Sequence, residues 1–182
     1  MIIKELGINK AFLIESEAVR DYRGYFSRLY CETEFKSCGL NTTWININNS
    51  KCDLRGTLRG LHFQRPPMAE EKLVKCTQGA IYDVIVDLRK ASPSYGHWHG
   101  EELSASNFLM IYVPRGFAHG YLSLTDGAEV IYLSSNSYSK EHQGNLNWSD
   151  PDIQINWPMK PLIMSSEDQN APFLESIKPI LL

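Results

Sequence analysis

Apolar positions along the chain recur with the two-residue period of β-strands. In GAIYDVIVDLR (79–89) one face, Ala80, Tyr82, Val84, Val86 and Leu88, is wholly apolar. The other, Ile81, Asp83, Ile85 and Asp87, alternates with carboxylates, the pattern of a half-buried sheet. NFLMIYVPRG (107–116) is a second run, stopped by Pro114 and Gly116. AEVIYLSSNSY (128–138) is a third and KLVKCT (72–77) a shorter fourth, with ASPSYG (91–96), LTDG (124–127) and RPP (65–67) supplying turns. Helical signal is scarce. CETEFKSCG (31–39) reads as about two turns ended by Gly39, and LSASN (103–107) as a capped turn before a strand. Short strands with few helices predict an all-β antiparallel sandwich or barrel. Beyond Asp150, Pro151, Pro158, Pro161, Pro172 and Pro179 predict an irregular tail that wraps the domain without adding strands.

Composition narrows the function classes. The 182 residues, 43% hydrophobic, suit a single domain over 1–182 with a sizeable core. Eighteen Lys+Arg against 21 Asp+Glu give a net charge of −3, so nucleic-acid binding through counterion release is not expected. No apolar run reaches the roughly 18 residues of a membrane span, and the N-terminus lacks signal-peptide patterning, so a cytoplasmic location is expected. Cys31, Cys38, Cys52 and Cys76 form no C-x-x-C and read as free thiols of a reducing compartment.

Five histidines carry the candidate chemistry. His142, in SKEHQG, reads as a solvated loop residue. His97 and His99 share one face if extended, yet their Gly-bounded segment reads as a loop engaged in surface or interface packing. His119 lies in PRGFAHG, whose P-x-G-x-x-H form resembles the second motif of the cupins, small antiparallel β-barrels that hold a ligand inside. The first cupin motif falls on His62-Phe63-Gln64, where a carboxamide replaces the second imidazole, while Glu70 and Glu71 arrive late. A carboxamide is a poor transition-metal ligand, so no catalytic metal is expected. An unligated His62 is then a candidate general base. Lys72, in line with Val74 and Cys76, is a candidate electrophile or anion partner, or else a strand-edge charge in water. Arg59 and His62 are an odd number of residues apart, so they face one site only if the strand is kinked, as Gly60 would permit.

RDYRGYF (20–26), NINNS (46–50), RGTLRGLHFQ (55–64), EKLVKCTQGAIYDVIVDLR (71–89), VPRGFAHGYLSL (113–124), WSDPDIQINWP (148–158) and SSED (165–168) together closely resemble the dTDP-4-dehydrorhamnose 3,5-epimerase family. The resemblance spans roughly residues 1–175. It implies a cupin-type jelly roll and inversion of C3 and C5 of a dTDP-linked 4-keto-6-deoxyhexose, with no cofactor. It implies His62 as base, Asp168 as its partner, Lys72 at the enolate oxygen and Tyr132 as the acid on the other face. It implies Arg59, Arg23, Asn48 and His119 as substrate and diphosphate ligands, with Phe26 and Tyr138 as aromatic walls. A homodimer is also implied, in which N-terminal strands cross to the neighbour, so that Arg23 and Phe26 act in trans. In the sequence itself, FLIESEAV is apolar enough to leave a sticky edge in a monomer.

Four binding positions depart from the family's usual residues: Arg28 stands for Glu, Asn46 for Gln, Gln143 for Glu, and Glu167 for Lys or Arg. A carboxylate at 167 beside a diphosphate calls for a cation, and Arg28 is the expected one. These exchanges leave open a C3-only epimerase, a ketoisomerase of a related nucleotide sugar, or a non-catalytic sugar-binding cupin.

Overall fold

The computed structural model describes residues 1–182. Thirteen strands run in chain order: β1 (Ile2–Glu5), β2 (Phe12–Glu15), β3 (Val19–Asp21), β4 (Gly24–Phe26), β5 (Asn46–Cys52), β6 (Leu58–Gln64), β7 (Lys72–Gln78), β8 (Ala80–Asp87), β9 (Trp98–Ser104), β10 (Leu109–Val113), β11 (Phe117–Ser123), β12 (Ala128–Ser134) and β13 (Gln143–Asn145). Helices are brief: α1 (Glu32–Ser37), α2 (Ser166–Gln169) and a 3₁₀ turn at Leu174–Ser176. A six-stranded sheet, β1-β2-β10-β7-β12-β5, faces a five-stranded sheet, β13-β6-β11-β8-β9, and β3-β4 form a separate hairpin. The pairings are antiparallel, as expected for a jelly roll. No helix is long and apolar enough to cross a membrane.

Three apolar layers hold this together. Val74, Cys76, Ile111 and Val130 of the six-stranded sheet meet Ile81, Ile85, Leu103 and Phe117 of the other. Outside the six-stranded sheet, Phe35 of α1 and Leu40 close over Ile14, Leu73, Met110 and Tyr112. Outside the five-stranded sheet, Val84, Val86 and Leu88 are covered by Ile153, Ile177 and Ile180 of the tail. The tail adds no strand and touches the sheets through isolated bridges, Thr57 to Ile163 and Arg89 to Ile180.

That last layer corrects the half-buried reading of β8. Its apolar face lies under the tail, and its carboxylate face turns inward with Ile81 and Ile85, so Asp83 and Asp87 are both fully buried. Buried carboxylates need partners. Asp87 has them in Arg89, Ser92 and Ser94, at 2.7, 2.5 and 2.7 Å. Burial pushes its carboxyl up, but these bonds outweigh it and hold the group below the usual carboxylate range. Asp83 is paired to His119, as described below.

Two further readings change. The His97–His99 segment is a loop only at its start: His97 is exposed ahead of β9, while His99 lies within β9, whose residues pair with β8 from Trp98 to Ser104. Within FLIESEAV, Phe12–Glu15 is no open edge, because β2 is bonded on one side to β1 and on the other to β10. Exposed apolar surface sits instead on the hairpin, where Val19 is 71% and Phe26 67% accessible.

Candidate functional site

The cavity opens between the sheets, in two lobes of about 260 and 250 Å³ that share His62, Lys72 and Tyr132. One lobe adds Asn46, Asn48, Gln64, Glu70, Ser134, Tyr138 and Gln143. The other adds Ser50, Arg59, His119, Tyr121, Ser165 and Asp168.

A kink at Gly60 directs two of these side chains. Gly60 has φ +122°, and the β6–β11 pairing slips between the His119–His62 and Tyr121–Arg59 matches. The slip removes the alternation that would face Arg59 and His62 oppositely, and both line one lobe. A Cβ on Gly60 would lie 2.6 Å from Gly120 Cα, so the two strands approach more closely than any side chain allows. Arg59 donates to the Lys51 carbonyl at 2.9 Å.

His62 meets Asp168 through Nε2 and Oδ1 at 2.7 Å. Asp168 rides on α2, whose N-cap Ser165 accepts a bond from the Asp168 N–H at 3.1 Å. Burial pushes the Asp168 carboxyl up, yet bonds to His62, Ser165 and the Gly60 N–H outweigh it and keep the carboxyl low. An ionised partner orients the imidazole and favours its charged form, as a general base requires.

From the opposite sheet come Lys72 and Tyr132. Lys72 faces the cavity in line with buried Val74 and Cys76, and its side chain is only 14% exposed, which rules out a charge directed to water. Its Nζ lies 5.9 Å from the centre of the Tyr132 ring and 3.4 Å from Glu70. Tyr132's phenol is pushed up, first by burial and then by the charge of Glu70, with Arg59 opposing. It therefore keeps its proton at neutral pH and can serve as an acid.

His119 pairs with His62 across the strands and bonds through Nε2 to Asp83 Oδ2 at 2.9 Å. Gln64, at the second ligand place of the cupin motif, is committed within the protein. Its amide donates to the Met68 and Ser137 carbonyls at 3.0 and 3.1 Å, and its Oε1 accepts from the Ser139 N–H at 2.6 Å. Gln64 thus offers no free donor atom to a metal in the cupin manner, and His119 is engaged through Nε2.

Tyr138 and Gln143, bonded to each other at 2.6 Å, sit at the mouth, and Glu167 lies beside them with Lys140. The expected pairing of Glu167 with Arg28 is not formed. Arg28 lies outside the cavity and approaches Glu34 at 4.0 Å. Arg23 and Phe26 also stand outside this chain's cavity, on the hairpin, where Arg23 is held by Asp21. His142 is half-buried, not a freely solvated residue, with Nδ1 2.8 Å from Ser139 Oγ.

Residues missed from sequence are the polar lining: Ser50, Gln64, Glu70, Tyr121, Ser134 and Ser165. The signal for Ser50 and Ser134 was available in strand parity. Ser50 shares a face with Asn46 and Asn48, and Ser134 with Tyr132.

The dTDP-4-dehydrorhamnose 3,5-epimerase family model matches residues 5–176. This chain belongs to that family. A 3,5-epimerase of Sinorhizobium fredii is 42% identical over 175 residues, covering 96% of this chain and 90% of the relative. The solved 3,5-epimerase of Elizabethkingia anophelis superposes with a TM-score of 0.93 at 40% identity, covering 98% of both chains. A Legionella pneumophila epimerase solved with dTDP-4-keto-L-rhamnose gives 0.91 at 31% identity, covering 97% of this chain and 94% of that one. Membership in this epimerase family accords with the all-β, cupin-type expectation drawn from the sequence. The His62–Asp168 pair, Lys72 and Tyr132 line one cavity in this family member, and the four positions expected from sequence to bind substrate divide. Asn46 and Gln143 line the cavity, Glu167 flanks its mouth, and Arg28 is elsewhere.

Proposed function

We propose that this chain inverts C3 and C5 of a dTDP-linked 4-keto-6-deoxyhexose. The observation that carries the reading is that base and acid come from opposite sheets. His62 projects from β6 of the five-stranded sheet and Tyr132 from β12 of the six-stranded one, into the same cavity. A sugar ring held between them loses its α proton to His62 on one face and receives one from Tyr132 on the other. A single residue returning its own proton would regenerate the starting configuration.

Abstraction from carbon is difficult, and a base alone supplies roughly 10²–10⁴-fold. The C4 oxygen becomes negative as the proton leaves, and Lys72 is the cation beside it. A well-placed donor in a shielded site stabilises such an oxyanion by about 3–4 kcal/mol. Asp168 supports the imidazolium formed on His62. Tyr132 is left as a phenolate, so solvent must return its proton and remove that of His62 before the next inversion.

We assign Arg59, Asn48, His119, Asn46, Gln143 and Tyr138 to holding the nucleotide sugar, as the lining residues placed to do so, with Glu167 and Arg28 as positions altered from the family's usual charges. Arg23 and Phe26 act in a neighbouring copy's site. The exposed hairpin with its apolar face supports a homodimer, and the reading is of a cytoplasmic enzyme needing no metal or redox cofactor.

The test is incubation with dTDP-4-keto-6-deoxyglucose in D₂O without added metal or nicotinamide, following H3 and H5 by NMR and mass. Loss of both signals is expected. Loss of H3 alone makes the chain a C3-only epimerase, and exchange at neither carbon overturns the assignment.

A further inference from the structure

Two adjacent glutamates follow the Gln64 turn, and they part company. Glu71 faces away from the cavity, where its Oε2 lies 3.0 Å from Arg115 Nε and 2.5 Å from Ser135 Oγ. Glu70 lines the cavity with its side chain 13% exposed, 3.4 Å from Lys72 Nζ. A carboxylate in a site built for an anionic nucleotide sugar works against substrate binding, so its placement calls for a reason. Ligation of a metal is not that reason, because no three His, Cys, Asp or Glu side chains come together to hold one and the neighbouring Gln64 is committed to protein partners.

Resting on the roles given above to Lys72 and Tyr132, we propose that Glu70 is a positioning residue that keeps both of them protonated and fixes the ammonium against the wall they share. Both groups act only as proton bearers: the lysine toward an oxygen and the tyrosine toward a carbon. A half-buried ammonium tends to lose its proton and a half-buried phenol to keep it. One negative charge next to the pair opposes the first tendency and reinforces the second. The effect on the phenol already stands second among the causes raising Tyr132, after burial. The other charged and titratable groups facing them are His62 and Arg59 on β6, Asp168 on α2, His119 and Tyr121 on β11, and Tyr138 at the mouth. Of these, Arg59 acts on Tyr132 in the opposite direction to Glu70. Glu70 is thus the cavity's one carboxylate beside Lys72 and Tyr132, while Asp168 is spent on His62.

The test compares kcat and KM against pH for wild type, Glu70→Gln and Glu70→Asp. In Glu70→Gln the alkaline limb of kcat moves down by roughly one pH unit or more, because both protons become easier to lose. In Glu70→Asp, which keeps the charge, the limb stays near that of wild type although kcat falls. A raised KM with an unmoved limb makes Glu70 an acceptor for a sugar hydroxyl and overturns the proposal. An equal limb shift in both variants overturns it too, since charge would then not be the cause. A second readout needs no turnover: the ¹³Cε signal of Lys72, assigned with Lys72→Arg, titrates at lower pH in Glu70→Gln. An unchanged Lys72 titration rejects the role of Glu70, whereas failure of wild type to exchange H3 and H5 rejects the epimerase reading itself.

Discussion

His62 Nε2 and Asp168 Oδ1 stand 2.7 Å apart, although 106 residues separate them in the chain. The contact fastens the proline-rich tail to the kinked strand, because the Gly60 N–H also reaches Asp168 Oδ2 at 3.4 Å. One carboxylate therefore serves both His62 and the local backbone.

Asp168→Asn removes the charge and keeps the shape. The expected loss is roughly 10²–10⁴-fold in kcat with KM little changed, as for other imidazoles deprived of an ionised partner. Stability changes in a defined window. The folded carboxyl is held below its ordinary value of 3.8. Its contribution is complete above that value and is lost as pH falls through the folded one, where the unfolded chain binds the extra proton. Urea unfolding from about pH 6 down to 2 should show wild type losing stability faster than Asp168→Asn below about pH 4. Asp87 is depressed too and acts in the same window, but it is common to both proteins, so the difference isolates Asp168.

Gly60→Ala places a methyl 2.6 Å from Gly120 Cα and 2.9 Å from the His119 carbonyl, at φ +122°. The methyl meets backbone atoms, so no flexible side chain can give way. A loss of about 1–3 kcal/mol in thermal or urea unfolding is expected, together with a fall in kcat, because Arg59 and His62 flank the kink. Gly120→Ala meets the Arg59 carbonyl at 2.6 Å and should reproduce both effects. A Gly60→Ala protein with wild-type stability would show that the strands separate more easily than their packing implies.

Which parts of this were legible in the sequence depends on how far each signal travels. The parity of Lys72 with Val74 and Cys76 was legible, because strand parity is local, but at the strand's end that pattern left both the cavity and water open to it. The Gly60 kink could be inferred because Arg59 and His62 have the wrong parity for one site. The inward burial of Asp83 and Asp87 could not be read, since the apolar face that the alternation would place in the core is covered instead by a tail that begins some 60 residues later and has no periodicity of its own. Asp168 was found through family resemblance alone, for the same reason. The opposite orientations of Glu70 and Glu71 were not read because both lie just ahead of β7, outside the apolar run that marks the strand. Arg28 was matched to Glu167 by charge alone, and the fold set it near Glu34 instead.

Glu167 sits at the cavity mouth beside Tyr138, Lys140 and Gln143, and it is exposed. Arg28 does not neutralise it within the chain, so under the proposed function its charge opposes a diphosphate at that mouth. Glu167→Lys should lower KM for the dTDP-sugar by roughly two- to fivefold, the scale of an exposed charge interaction, with kcat nearly unchanged. The gain should shrink as salt rises from about 50 to 500 mM, since exposed charges are screened over a shorter distance. An increased KM would instead show that Glu167 makes a favourable contact with the nucleotide.

The hairpin supplies the last prediction. Val19, Tyr22, Tyr25 and Phe26 are exposed on it, and Arg23 has only Asp21 as an ionic partner within the chain. An apolar, arginine-bearing ribbon outside its own cavity is suited to complete another. Arg23→Ala and His62→Ala should each be strongly impaired as pure proteins. If the hairpin acts across a dimer, an equal mixture refolded together regains activity. In a mixed dimer, the Arg23→Ala subunit keeps its His62 and receives an intact Arg23 from its partner, while the other site lacks both. Random pairing makes half of the dimers mixed, so roughly one quarter of all sites become native in composition. Recovery near that level assigns Arg23 to the neighbouring site and establishes the dimer as the active species. No recovery, with both variants folded and dimeric by light scattering, would place Arg23 in its own chain's site or outside catalysis.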